Sequence, residues 1–142
     1  MGAITLMKTS IGEQRIIDIL LREKLSFQRE YTFSDLRTLR KGIPRYDFVI
    51  FTEDGEIDYI VEFDGEQHFK AVMGSVRDFQ YRAETDRLKN QYCLLNNIPL
   101  YRIPYTDLKL LKNTQSFKAS QYRVKTKWHN DNLRFKETLP KI

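Results

Sequence analysis

The spacing of apolar residues changes period several times along the chain, and each change marks an element. Ile16, Ile17, Leu20 and Leu21 recur at helical spacing. Ser10 and Glu13 ahead of them have the S-x-x-E form of a capping box, so a first helix is expected from Ser10 to about Lys24. Alternation takes over at Leu25–Phe33 and predicts a strand, with Phe27, Arg29 and Tyr31 on one face and Gln28, Glu30 and Thr32 on the other. Residues 34–44 are polar and basic and carry Gly42 and Pro44, so they read as a loop. Tyr46–Phe51 and Asp58–Phe63 are β-prone runs, and the Asp54-Gly55 pair between them signals a hairpin turn. Gly65 ends the second run, and a loop follows to residue 76. A second helix is predicted from Val76 or Arg77 to Leu95, with Tyr81, Leu88, Tyr92 and Leu95 as its inner stripe and Pro99 blocking its return. Leu100–Ile103 forms a last short strand with Pro104 behind it. The order α-β-β-β-α-β predicts an α/β (α+β) fold, a mixed four-stranded sheet flanked by helices.

Composition narrows the class. A chain of 142 residues, 41% apolar and 13% aromatic, suits one packed core. The single cysteine, Cys93, excludes a disulfide framework or a Cys-type zinc site within one chain. No stretch has the apolar length of a membrane span and the N-terminus has no secretory apolar region, so a cytoplasmic protein with no membrane partner is expected. Charge is uneven. Residues 109–142 hold nine Lys/Arg against two Asp/Glu, a net of +7, while residues 1–108 hold 15 against 17, a net of −2. The division expected is a body over 1–108 and a basic extension over 109–142, a balance that suits a polyanionic partner.

The candidate chemistry lies on the hairpin. With Asp54 and Gly55 at the centre of the turn, Asp47 falls opposite Glu62, and cross-strand partners hold their Cβ atoms about 4.5–5.5 Å apart. Glu62 and Asp64 are two residues apart on one strand and share a face, together with Val49 and Ile60, while Phe48, Val61 and Phe63 line the opposite one. Three carboxylates inside apolar strands require compensation by a proton, a basic partner or a cation. Mg²⁺ suits them best, because it takes oxygen ligands from one or two carboxylates. Glu13 points to the body from the first helix, either closing the capping box, joining the acids, or both. Gln67 and His68 follow the acids directly, and a histidine there could act as a base or hold a phosphate. Asp86 and Lys89, one turn apart, read in isolation as a helix-surface ion pair.

Taken in order, Glu13, Tyr46-Asp47-Phe48, the run Val61-Glu62-Phe63-Asp64-Gly65-Glu66-Gln67-His68, Asp86…Lys89-Asn90 and Leu100-Tyr101-Arg102-Ile103 resemble the restriction-endonuclease-like, PD-(D/E)xK, nuclease superfamily. The nearest likeness is to its very-short-patch-repair-like branch with an E-x-D-G-x-Q-H run, close to phage homing endonucleases, and it covers about residues 10–105. The resemblance implies a Mg²⁺-dependent endonuclease, with Mn²⁺ as a substitute, hydrolysing DNA phosphodiesters in a homing-type or mismatch- or site-specific nicking role. It implies a phage or mobile-element setting and hence the host cytoplasm. Asp47 and Glu62 would be the motif acids and metal ligands, and Asp64 a further ligand or a partner orienting His68. The superfamily's lysine, two residues after the second acid, is replaced by Asp64, so its role would pass to His68, Gln67 or a relocated Lys89, or to a metal-bound hydroxide. The same departure admits a non-catalytic nucleic-acid-binding module. A junction resolvase of the same fold would require a homodimer.

Two basic segments are candidates for contact with DNA. The first is the loop carrying Arg37, Arg40, Lys41 and Arg45. The second is the extension, where Phe117, Tyr122, Trp128 and Phe135 alternate with Lys118, Arg123, Lys125, Lys127, Arg134 and Lys136. Its cations suit phosphates, and its aromatics either stack on bases or complete the core.

Overall fold

A computed structural model describes residues 9–65 and 76–118. The elements run α1 (Ile11–Arg22), β1 (Ser26–Tyr31), β2 (Tyr46–Phe51), β3 (Ile57–Asp64), α2 (Val76–Leu95) and β4 (Leu100–Pro104), followed by a 3₁₀ segment, Tyr105–Leu110. The sheet order is β1-β2-β3-β4. The first three strands are antiparallel, and β4 joins β3 in parallel after the α2 crossover. This is a mixed α+β fold with a four-stranded mixed sheet. Among the described residues, no helix is long and apolar enough to cross a membrane.

Two apolar clusters occupy the two faces of the sheet. Ile16, Ile19 and Leu20 of α1 pack with Phe48, Ile50, Val61, Ile103, Leu111 and Phe117. Tyr46, Val49, Ile60 and Leu100 pack with Cys93 of α2 and Leu36. The expected division of the hairpin, Val49 and Ile60 against Phe48, Val61 and Phe63, is the one observed. The α1-side core also takes in Leu111 and Phe117, so the packed body runs past residue 108.

Helix α1 starts at the expected capping box: Ser10 Oγ accepts from the Glu13 amide and Glu13 Oε1 accepts from the Ser10 amide, both at 3.1 Å. It ends in a Schellman arrangement, with the Leu25 amide donating to the Leu20 carbonyl and Lys24 at φ 58°. Its buried stripe is Gly12, Ile16, Ile19 and Leu20, whereas Leu21 points to solvent. Leu21 lies 100° beyond Leu20 around the helix, enough to leave the i, i+3, i+4 face.

The β2–β3 register is the expected one, Phe48 opposite Val61, Val49 opposite Ile60 and Ile50 opposite Tyr59, but the turn that delivers it is different. Thr52 donates to the Glu56 carbonyl across a three-residue loop with Gly55 at φ 85°, which pairs Phe51 with Ile57. Asp58 is left over as a bulge and restores the register before the acids are reached.

Two sequence expectations need correction. Helix α2 covers the expected span, but Leu95 is 52% exposed. Its inward positions include Lys89 and Cys93, four residues apart, with Asp86 and Asn90 beside them. The stripe facing the sheet is therefore largely polar, which an apolar-periodicity reading cannot detect. In β1, Phe27 packs on the α1 side but Tyr31 on the α2 side. The cause is Glu30, whose φ of 53° interrupts the pleat. On the paired strand, Tyr46 and Phe48 likewise fall on opposite faces. The Glu30–Asp47 rung is missing between the Arg29–Phe48 and Tyr31–Tyr46 pairs, so the two strands change faces together at this step.

Candidate active site

The face change gathers the acids. Glu13, Glu30 and Asp47 each offer a carboxylate oxygen, and the three lie within 4.8 Å of one another. Glu13 is held by the capping box and by Arg29, whose guanidinium lies 3.2 Å from its Oε2. The capping and inward-pointing readings of Glu13 thus describe one side chain. Glu30 was not anticipated from the sequence. No local pattern marks it, because what sets Glu30 beside Asp47 is the β1–β2 register between the Arg29–Phe48 and Tyr31–Tyr46 pairs.

Beyond Phe48–Val61, side chains take over from the strand ladder. Glu62 Oε2 accepts from the Asp47 amide at 2.7 Å, and Asp47 Oδ2 accepts from the Phe63 amide at 2.8 Å. Glu62 is 3% exposed. Its other oxygen meets the ammonium of Lys89, which is buried and also donates to the Arg45 carbonyl at 2.7 Å. Lys89 is therefore not half of a surface pair with Asp86. It reaches into the sheet from α2 and neutralises the second acid. Tyr46 fixes the same turn of helix, its hydroxyl donating to the Lys89 carbonyl at 2.8 Å with its ring 4.9 Å from Nζ.

Burial and the charge of Glu62, with which it also shares a hydrogen bond, push Asp47 from the usual carboxylate range up to about 9, although the Phe63 amide and Lys89 pull the other way. The direction of the shift favours the protonated carboxyl, and a bound cation would oppose it. The three clustered carboxylate oxygens of Glu13, Glu30 and Asp47 could hold a hard divalent ion such as Mg²⁺. Asp47 stands between Glu62 on one side and Glu13 with Glu30 on the other.

Asp64 is engaged elsewhere. Arg102, on β4 opposite Glu62, places Nη1 3.1 Å from Asp64 Oδ1, donates Nε to Asn90 Oδ1 at 2.7 Å and lies 3.7 Å from Asp86 Oδ1. Burial opposes the Arg102 charge, but Asp64, Asp86 and Glu62 outweigh it and raise its pKa. This buried guanidinium, also missed in the sequence, ties β3 and β4 to α2 at Asp86, one turn before Lys89, and at Asn90, the residue after it. In the structure Asp64 is paired with this guanidinium. A lone Arg in the apolar run Leu100–Ile103 was the available signal.

Among the candidate DNA contacts, Arg37, Lys41 and Arg45 are exposed, and Arg40 stacks over the Tyr81 ring at 4.1 Å. Phe117 is fully buried in the α1-side core, so that aromatic completes the fold, and Lys118 beside it is exposed. Gln67 and His68 lie outside the described residues, as do Arg123, Lys125, Lys127, Trp128 and Arg134. No protein-family model matches the chain, and no curated protein sequence or solved structure matches it.

Proposed function

We propose that the protein is a metal-dependent endonuclease that hydrolyses DNA phosphodiester bonds, built on a restriction-endonuclease-like core. The observation that carries this reading is the contact of Lys89 with Glu62 beside Asp47. Two acids and a lysine come together although the residue two after the second acid is Asp64, and the amine arrives from α2 instead.

Asp47 and Glu62, with Glu13 or Glu30 alongside, are the residues that would hold Mg²⁺. When bound, the ion supplies a Lewis acid for the scissile phosphate. The chain's own groups do the rest. Glu62 is fixed in orientation by the Asp47 amide and by Lys89. Lys89 has three N–H donors and spends two on Glu62 and the Arg45 carbonyl, which leaves one to orient a water or a phosphate oxygen. Arg45, exposed at the start of β2, brings positive charge to the DNA backbone within two residues of Asp47.

A non-catalytic DNA-binding module is the second reading, favoured by the replacement of the superfamily's lysine by Asp64 and its pairing with Arg102. Glu62→Gln separates the two. In a nuclease, the variant stops cutting and still binds DNA. If the wild type binds DNA but cuts none with any divalent ion, the second reading takes over.

A further inference from the structure

The loop between β1 and β2 is tightly built, yet it turns two large apolar side chains outward. Leu39 is 69% exposed and Ile43 52%. The turn between them is pinned from inside. The Thr38 amide donates to the Gly42 carbonyl at 2.9 Å, the Lys41 amide to the Thr38 carbonyl at 2.8 Å, and the Gly42 amide to Thr38 Oγ1 at 2.9 Å. From α2, the Tyr81 hydroxyl donates to Thr38 Oγ1 at 2.5 Å, and the Tyr81 ring carries the Arg40 guanidinium. Lys41 holds φ at 62°, a conformation that L-residues adopt at a cost. A Cβ on Gly42 would meet Thr38 Oγ1 at 3.2 Å, so the turn sits closely on its support. Thr38 and Leu36 are buried while Leu39 and Ile43 are not, so the display of the apolar pair is fixed by the turn itself.

Charge identifies what covers them. From Leu36 to Tyr46 the sequence holds Arg37, Arg40, Lys41 and Arg45 and no acid. Apolar tips framed by cations match the base steps of a nucleic acid duplex, where apolar base faces lie between rows of phosphates. The loop also runs directly into the site, since the Arg45 carbonyl holds Lys89 Nζ and Asp47 follows two residues later. We infer that the 37–45 loop is a wedge. Leu39 and Ile43 enter a base step of duplex DNA, Arg37, Lys41 and Arg45 hold the flanking phosphates, and the duplex bends toward Asp47. The inference rests on the nuclease reading and adds a substrate preference: duplexes whose central steps open easily, such as pyrimidine–purine steps, over stiff A-tracts.

The test uses the full chain without divalent metal and two 30-bp duplexes of equal length, one with a central run of TA steps and one with a central A-tract. Binding is followed by anisotropy and bending by energy transfer between end-placed dyes. The wild type is expected to bind the TA duplex about tenfold more tightly and to bend it. The Leu39→Ser/Ile43→Ser variant is expected to bind both duplexes alike and bend neither. Its slope of log K against log salt stays that of the wild type, because no phosphate contact is lost. Lys41→Gln/Arg45→Gln is expected to do the reverse, keeping the preference while the slope falls by about 2. Equal, unbent binding by the wild type overturns the wedge. So does a preference retained in Leu39→Ser/Ile43→Ser, a wild type that binds no DNA, or a variant whose only change is lost self-association, which would assign the tips to a second copy of the chain. Metal-dependent cutting without bending removes the wedge and leaves the nuclease. Bending without cutting does the opposite.

Discussion

Replacing Lys89 by Met keeps most of the aliphatic stem and removes the charge that neutralises Glu62. In the wild type Glu62 has Lys89 on one oxygen and the Asp47 amide on the other, with almost no access to water. Breaking a buried pair from one side costs about 3–5 kcal/mol, because the remaining charge is stranded. The Arg45 carbonyl also loses its donor, adding roughly 1 kcal/mol. Lys89→Met is therefore expected to lose about 4–6 kcal/mol. Urea unfolding followed by circular dichroism measures the loss. Adding Glu62→Gln to the variant should recover most of it, since the stranded charge is gone. A loss under ~1 kcal/mol, or no recovery in the double variant, would refute the reasoning, because either means Glu62 does not depend on Lys89.

Asp47 ionises near 3.8 in the unfolded chain and near 9 in the folded one, so between those values unfolding releases a proton and stability falls as pH rises. Asp47→Asn should flatten that fall, and a wild-type stability that rises from pH 5 to pH 8.5 relative to the variant would contradict it. Divalent-ion binding must displace the same proton, so calorimetry of Mg²⁺ binding at pH 7 in buffers of different ionisation enthalpy is expected to show close to one proton released, and no release counts against Asp47 as a ligand. A Cβ on Gly12 would lie 2.2 Å from the tip of the Phe63 ring, so Gly12→Ala should destabilise the fold by about 1–3 kcal/mol despite the better helix propensity of Ala, and a raised melting temperature would show that α1 does not press on β3 there. Arg102→Met removes the cation that Asp64 and Asp86 share and should lower the melting temperature by roughly 10 °C, whereas an unchanged value would remove Arg102 as the anchor of α2.

What the sequence disclosed followed from regular periods. The capping box, the hairpin register and the span of α2 all come from local rules, and each is seen in the structure. Alternation misplaces the end of β1 because it assumes an unbroken pleat, and nothing about Glu30 as a residue type announces a positive φ. The inner stripe of α2 departs from its apolar pattern for a different reason. An amphipathic reading assumes that apolar residues face inward, and here Asp86, Lys89 and Asn90 do so because β3 and β4 offer them Glu62, Asp64 and Arg102. Those pairings join residues more than ten positions apart, beyond the reach of local pattern. The hairpin register agrees with a two-residue Asp54-Gly55 turn although the turn itself differs, since the three-residue loop and the Asp58 bulge offset each other.

The central claim is that Asp47, Glu62 and Lys89 form a metal-dependent phosphodiester-cleaving site. The most direct test is conversion of supercoiled plasmid to nicked or linear forms in Mg²⁺, Mn²⁺ and chelator, with Asp47→Ala in parallel. The account predicts cutting by the wild type that requires the ion and is lost in the variant. Cutting that survives in Asp47→Ala, or that proceeds equally in chelator, would contradict it.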